Sequence, residues 1–351
     1  PEIYTPVNSS AASDVYKRQH RPTPRIFSPM AAATERGELR GEILDGRYRI
    51  GNAIGNGGTG IVFEAERLAT LERVVVKMLR PAYAGNPDLN ARVRREVEVA
   101  RRVFHPGIVP VIDHGSLYDG SPYLVMKHMR SESLSSVLRR CGPLSARQVS
   151  VIMARLSSIL HSVHRHGYVH RDIKPEHILL NQGGYGELDL HLLDFGVCAA
   201  DTAPADERAR ERGRVYGTPS YASPEQASGN PFVDARADLF GVGVTMFEAL
   251  TGKLPFNGVD VNAVLRRIIR EDAPRVSTLA PRVDDEMSDL VGKLLCRRPA
   301  GRHPSARALM RALEPWLHER IRTERTLAAA LQIVPETSTI RPTAQHDEVA
   351  A

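Results

Sequence analysis

From about Ile43 the chain alternates apolar and polar positions in short stretches. RYRIGNAIG and GIVFEAERL are β-rich runs on either side of a glycine cluster, and ERVVVKML is a further strand. The pattern then changes. NARVRREVEVARRVF has helical spacing without internal Gly or Pro, and IVPVIDHGS and PYLVMKHM return to strand. After Ser131 helical spacing prevails. SARQVSVIMARLSSILHSVHRHG is a long amphipathic segment with Ser145 placed as its N-cap and Gly167 as its stop. ADLFGVGVTMFEALTG, VNAVLRRIIRE, MSDLVGKLLCR and SARALMRALEPWL follow with the same periodicity. A strand-rich front and a helix-rich back predict an α+β chain of two lobes, residues 43–128 and 129–318, with ligands bound in a cleft between them. Residues 1–42 and 319–351 lack periodicity and read as a flexible leader and tail. Within the leader, Asp14–Gln19 reads as the translation of a transposon end used in preparing sequencing libraries. About the first twenty residues are therefore expected to be an artefact and carry no weight in the fold.

Composition narrows the function classes. The formal charge of +6 comes from 47 basic and 41 acidic residues interspersed along the chain. Without a lysine block or aromatic interleaving, this argues against nucleic-acid binding. Cys141, Cys198 and Cys296 are far apart, which argues against a disulfide framework and for a reducing, cytoplasmic setting. No apolar run is long enough to span a bilayer.

Gly55-Asn56-Gly57-Gly58-Thr59-Gly60-Ile61-Val62 fits G-x-G-x-x-G-x-V. Glycines let a backbone approach phosphates and present N–H donors to them. The same spacing occurs in dinucleotide folds and in plain turns. Here a strand follows rather than a helix, which favours a hairpin covering a nucleotide. Lys77 ends the apolar strand VVVK, and Glu96 on the next helix is spaced to hold it against phosphate oxygens. Glu98 is the runner-up, pointing away from Glu96 on the helix. His161, His164, His166 and His170 lie close together, and a metal site there is the less favoured reading.

His170-Arg171-Asp172 with Lys174 and Pro175, followed by Asp194-Phe195-Gly196, is the decisive combination. Over about residues 43–318 the chain resembles the Hanks-type serine/threonine protein kinases, most closely the bacterial branch. The resemblance implies a bilobal protein kinase fold and transfer of the ATP γ-phosphate to Ser/Thr hydroxyls of protein substrates. Asp172 would accept the hydroxyl proton, Lys174 would stabilise the migrating phosphoryl group, and Asp194 would hold Mg²⁺. Thr218 in Gly217-Thr218-Pro219-Ser220-Tyr221 would contact Asp172 and Lys174. Glu225 of Ser223-Pro224-Glu225 would pair with Arg302, and Asp238 would brace the catalytic loop. Met126 aligns as gatekeeper, with Lys127, His128 and Met129 as the adenine-binding hinge.

Two departures qualify the resemblance. The activation segment has Arg210, Glu211 and Arg212 where relatives carry phosphorylated threonines, and Thr202 is the one Ser or Thr between Asp194 and Thr218. Loop phosphorylation is therefore not expected to be the main switch, and Glu211 is a candidate stand-in for the phosphate. Cys198 reads as a plain small residue rather than a redox handle. The second departure is His177, which replaces the asparagine that supplies an oxygen to a second Mg²⁺. Imidazole suits Mn²⁺ or softer metals better, so a kinase with altered metal use is expected, impaired by roughly 10²–10³. The alternative is a pseudokinase that binds nucleotide and signals through protein contacts.

Overall fold

The computed structural model describes residues 39–57, 60–83, 85–183, 187–200, 212–317 and 328–329. The leader's Asp14–Gln19, Gly58 and Thr59 of the glycine cluster, and Thr202, Arg210 and Glu211 lie outside the described residues. Two compact units emerge, one reaching Asn90 and including Ile112–His128, the other containing Ala91–Val111 and the chain from Met129 onward.

The first unit is a six-stranded sheet in the order β1-β2-β3-β4-β6-β5. Its strands are β1 (Ile43–Leu44), β2 (Tyr48–Asn56), β3 (Gly60–Arg67), β4 (Arg73–Leu79), β5 (Val111–Ser116) and β6 (Pro122–Lys127). Alternation in β4 sends Val74, Val76 and Met78 into the core, where they meet Phe63, Tyr123 and Val125. Each such fully buried side chain contributes roughly 1.5–3 kcal/mol. Lys77 lies on the other face of β4, opposite Val62 on β3 and Leu124 on β6. A polar knot closes one end of the sheet. Tyr48 Oη donates to Asp113 Oδ2 at 2.7 Å, Arg47 donates to the same oxygen at 2.5 Å, and Tyr123 donates to Asp45.

Helix α1 (Pro87–Arg102) runs from the first unit into the second. Its C-terminal part and the turn after it place Val99, Val103 and Ile108 in the second unit's core. That core surrounds α3 (Ala146–Arg165) and α5 (Arg236–Thr251), with α2 (Leu134–Cys141) before them. Ser145 caps α3 through a capping box with Gln148, and Gly167 follows the helix at φ +76°. Helix α5 is apolar on nearly every side, which suits a helix enclosed by others. After α4 (Pro224–Ala227) and α6 (Val261–Arg270) come α7 (Val276–Leu279), α8 (Asp285–Leu294) and α9 (Ala306–Leu313); α8 packs on α5 and α9 on α3.

The second unit also contains strands that helical spacing does not announce. β7 (Glu132–Ser133), β9 (Ile178–Gln182) and β10 (Leu188–Leu192) form one sheet, and β8 (Tyr168–Val169) pairs with β11 (Ala199–Ala200). β7, β8 and β11 have two residues each, too short for alternation to register, and tertiary pairing fixes them instead, whereas LDLHL of β10 does alternate. They set the chain segments that carry the site. Among the described residues no helix is long and apolar enough to cross a membrane.

Candidate active site

β8 ends at Val169, β9 begins at Ile178, and the loop between them carries most of the chemistry. Asp238, in the first turn of α5, fixes this loop. Its Oδ2 accepts the His170 backbone N–H at 2.8 Å and its Oδ1 that of Arg171 at 2.7 Å. His164 Nε2 adds a third bond at 2.8 Å. Burial alone would raise the Asp238 carboxyl, but the His164 bond and charge, helped by His170, outweigh it and hold it below the usual carboxylate range.

Arg171 adopts φ +69°, a left-handed conformation that is costly for a residue with a side chain. Its N–H is held by Asp238, and its carbonyl accepts from Gln226 Nε2 at 2.8 Å, so the surroundings enforce the conformation. His170 Nε2 donates to the Leu193 carbonyl at 3.0 Å, and its edge meets the Phe195 ring at a centroid distance of 4.8 Å. The tautomer follows, since a carbonyl can only accept.

The Asp172 carboxylate is at the centre. Oδ1 accepts the Thr218 N–H at 2.7 Å, and Oδ2 lies 3.2 Å from Lys174 Nζ, which also donates to Thr218 Oγ1 at 2.5 Å. Gly217 makes this closure possible: its φ is +90°, and a Cβ there would lie 2.5 Å from the Arg171 carbonyl oxygen. His177 ends a 3₁₀ turn (Pro175–His177). Its Nδ1 donates to the backbone carbonyl of Asp172 at 2.9 Å, rather than to the carboxylate, whose Oδ2 is 3.5 Å away. Nε2 then carries the lone pair and faces Asp194 Oδ2 at 3.5 Å. Burial pushes the His177 pKa down despite Asp194 and Asp172 nearby, which keeps the ring neutral. A neutral imidazole nitrogen beside a carboxylate oxygen is a donor pair suited to a divalent ion. Asp194 also has positive φ, +64°.

Glu225 and Arg302 make a two-pronged ion pair at 2.7 and 2.8 Å. The Arg302 guanidinium is fully buried and also donates to the carbonyls of Cys296, Arg236 and Arg297.

In the first unit, Gly55 and Asn56 end β2 opposite Val62 and Ile61, and Gly57 N–H donates to Gly60 O at 3.0 Å to close the hairpin. Gly60 is demanded by the sheet itself, because a Cβ would lie 2.8 Å from Met78 O. Among the described residues, nothing stands closer than 3.5 Å to a Cβ on Gly57. Met126 is buried opposite Val75, and Lys127 ends β6 exposed. In the second unit, Glu96 is 4% exposed, whereas Glu98 is half exposed and engages Arg102 and Tyr168. Met129 opens that unit's main stretch. The four histidines singled out by spacing serve separate ends. His164 holds Asp238, His166 Nδ1 bonds Ser162 O at 2.8 Å, His170 is in the loop, and His161 has its pKa lowered, chiefly by burial.

Three positioning residues escape a motif reading. Gln226 is visible only as the last letter of a Ser-x-x-Gln capping box, here formed by Ser223. Arg80 clasps the glycine hairpin, donating to Gly57 O at 2.8 and 2.9 Å and to Asn56 Oδ1. Tyr216 lies beside two guanidiniums, and no spacing rule marks any such pairing.

Residues 48–317 match the family model for the protein kinase domain. Among relatives, serine/threonine-protein kinase pkn3 of Myxococcus xanthus is 34% identical over 82% of this chain and 53% of its own length. Serine/threonine-protein kinase PknB of Mycolicibacterium smegmatis is 35% identical over 79% of this chain and 44% of its own. PknH of Mycobacterium tuberculosis is 31% identical over 74% and 40%. The chain thus spans about half the length, or less, of the relatives it matches. It belongs to the protein kinase domain family, within the bacterial Hanks-type serine/threonine branch.

Proposed function

We propose that this chain is the catalytic domain of a protein kinase that transfers the ATP γ-phosphate to Ser and Thr hydroxyls of protein substrates. The observation that carries the reading is the closed arrangement of Asp172, Lys174 and Thr218. One Asp172 oxygen is oriented by the Thr218 N–H and the other is held near a cation, so the carboxylate is fixed but retains lone pairs. An acceptor hydroxyl brought to it gives up its proton to Asp172 as the oxygen attacks phosphorus. Lys174 brings positive charge to the phosphoryl oxygens. Lys77 and Glu96 are assigned to the other phosphates, Gly55, Gly57, Gly58, Thr59 and Gly60 to the backbone cradle, and Met126–Met129 to adenine.

The donor set fits a divalent ion, with Asp194 Oδ2 and His177 Nε2 as its protein ligands. Such an ion supplies charge neutralisation between phosphate oxygens when bound. One nitrogen and one oxygen favour Mn²⁺ over Mg²⁺ relative to an all-oxygen site. Three free cysteines support a reducing, cytoplasmic setting.

Radiolabelled phosphotransfer to a protein substrate, run with Mg²⁺ and with Mn²⁺, tests the reading. Wild type is expected to transfer label, and Asp172→Asn to lower the rate by about 10²–10⁴. Absence of Asp172-dependent transfer with either metal defeats it and favours the one rival with an observation behind it. That rival is a nucleotide-binding scaffold, in which His177 occupies the site without supporting turnover.

A further inference from the structure

The activation segment re-enters the described residues at Arg212 and must reach Gly217 and Thr218 in the right register for Thr218 to meet Asp172. Its first anchor is Gly213, whose N–H donates to Gly229 O at 2.9 Å, just beyond α4. Its second anchor is Tyr216, a half-buried residue immediately before the Gly217 turn. The Arg92 Cζ stands 5.5 Å from the centre of the Tyr216 ring, and the Arg171 Cζ stands 5.8 Å from it. Both distances are within the range at which a guanidinium is attracted by an aromatic face.

The two cations come from different places. Arg92 is on α1, where its Cβ would be 3.7 Å from a Cβ on Gly196, so this turn of the helix packs against the Asp194-Phe195-Gly196 segment. The next turn is tied there too, since Arg95 donates to the Cys198 carbonyl at 2.8 Å. Arg171 belongs to the catalytic loop and is the residue that, in phosphorylated relatives, pairs with a loop phosphate. Gln226 completes the junction from below, donating from one nitrogen to Arg171 O at 2.8 Å and Tyr216 O at 3.3 Å. One ring thus joins α1, the catalytic loop and the end of the activation segment.

We infer that Tyr216 is a positioning residue whose ring, attracted to Arg92 and Arg171, holds the end of the activation segment in register without a phosphate. This rests on the kinase reading and deepens it. A phosphothreonine would satisfy Arg171 by opposite charge, at the cost of needing an upstream event. An aromatic face satisfies a guanidinium with no net charge and no modification. The device acts on Thr218 through Gly217, two positions away, so it governs protein-substrate alignment more than ATP affinity.

The test uses Tyr216→Leu, Tyr216→Phe and Arg92→Ala in the full chain, with kinetics against a protein substrate and hydrogen exchange of amides 212–218. Tyr216→Leu and Arg92→Ala are each expected to lower kcat/KM for the protein substrate about tenfold, with the KM for ATP within about twofold. The Leu/Ala double variant is expected to be no more than about twofold worse than either single, because both remove one interaction. Tyr216→Phe keeps the ring and is expected to match wild type. Exchange at 212–218 should quicken in Tyr216→Leu and Arg92→Ala but not in Tyr216→Phe. A Phe variant as impaired as the Leu variant would show that the hydroxyl matters instead, and wild-type exchange in the Leu variant would equally overturn the inference. If the Leu variant does not fold, Arg92→Ala decides alone by the same readouts. Wild type that transfers no phosphate with either metal defeats the kinase reading, while the exchange measurements still judge the clamp.

Discussion

His177 combines two constraints that an asparagine would not. Its Nδ1–H is committed to the Asp172 carbonyl, and burial keeps the ring neutral, so Nε2 is left as a lone-pair donor aimed near Asp194. A second-sphere bond of this kind fixes the tautomer and the ring plane, which is how imidazole ligands are tuned. His177→Asn is expected to move metal preference toward Mg²⁺, changing the Mn²⁺:Mg²⁺ affinity ratio by roughly tenfold. Titration of nucleotide-loaded protein by calorimetry, with no turnover needed, measures the ratio. An unchanged ratio would remove His177 from the metal site. Gly217 makes a sharper demand. A Cβ at φ +90°, 2.5 Å from Arg171 O, must displace the segment. Gly217→Ala is expected to cost about 10² in kcat, as loss of the Thr218–Asp172 bond removes a positioning contact. A kcat within about threefold of wild type would show the loop adapting.

Between elements, the strongest tie is the Arg302–Glu225 pair, which fastens α4 to the turn preceding α9. Removing one partner strands a buried charge surrounded by carbonyls. Glu225→Gln is expected to lower stability by about 3–5 kcal/mol in urea unfolding, and a loss under about 1 kcal/mol would mean water reaches the site. The pair also shows what a sequence can and cannot disclose. Periodicity suffices for β4 and α3, while α5 is legible instead as a nearly continuous apolar run. Ser145 and Gly167 bound α3 by local chemistry alone. Glu225 and Arg302, 77 positions apart, become partners only through family resemblance, because no local rule links them. Tyr216 and Arg92 lie outside even that, since a ring beside a guanidinium leaves no spacing signature. The two-residue strands β7, β8 and β11 fail for another reason: they exist because a neighbour pairs with them, not because their own residues prefer it.

The two units carry different titrating groups, which gives the whole molecule a separable response to pH. In the first unit, burial and the bond to Asp113 push Tyr48 up to about 12, and burial with the Asp45 bond raises Tyr123 further. Those groups act at alkaline pH only. In the second unit, several histidines have displaced pKa values. His105 and His303 are both lowered, chiefly by burial, His105 also by His191 and His303 by Lys293. His105 has a structural reason to stay neutral, because its Nδ1 accepts the Gly107 N–H at 3.0 Å and cannot do so once protonated. A lowered folded pKa means the unfolded chain binds more protons below its own pKa near 6.5. Stability of the second unit is therefore full above about pH 6.5 and falls as pH drops from there toward the folded values. In the first unit Asp113, held low by hydrogen bonds and Arg47 against the opposing effect of burial, responds only below about pH 4. Trp316, the chain's one tryptophan, donates to Asp284 in the second unit and so reports on that unit. Its fluorescence midpoint in heat or urea should fall between pH 7 and about pH 5. Amide exchange in β3 and β4 should stay level over that range, and His105→Asn should flatten part of the fall, since an amide oxygen can accept from Gly107 at any pH. A midpoint that does not move, or β3 and β4 loosening in step with Trp316, would show that the histidines do not set the acid response or that the units unfold as one.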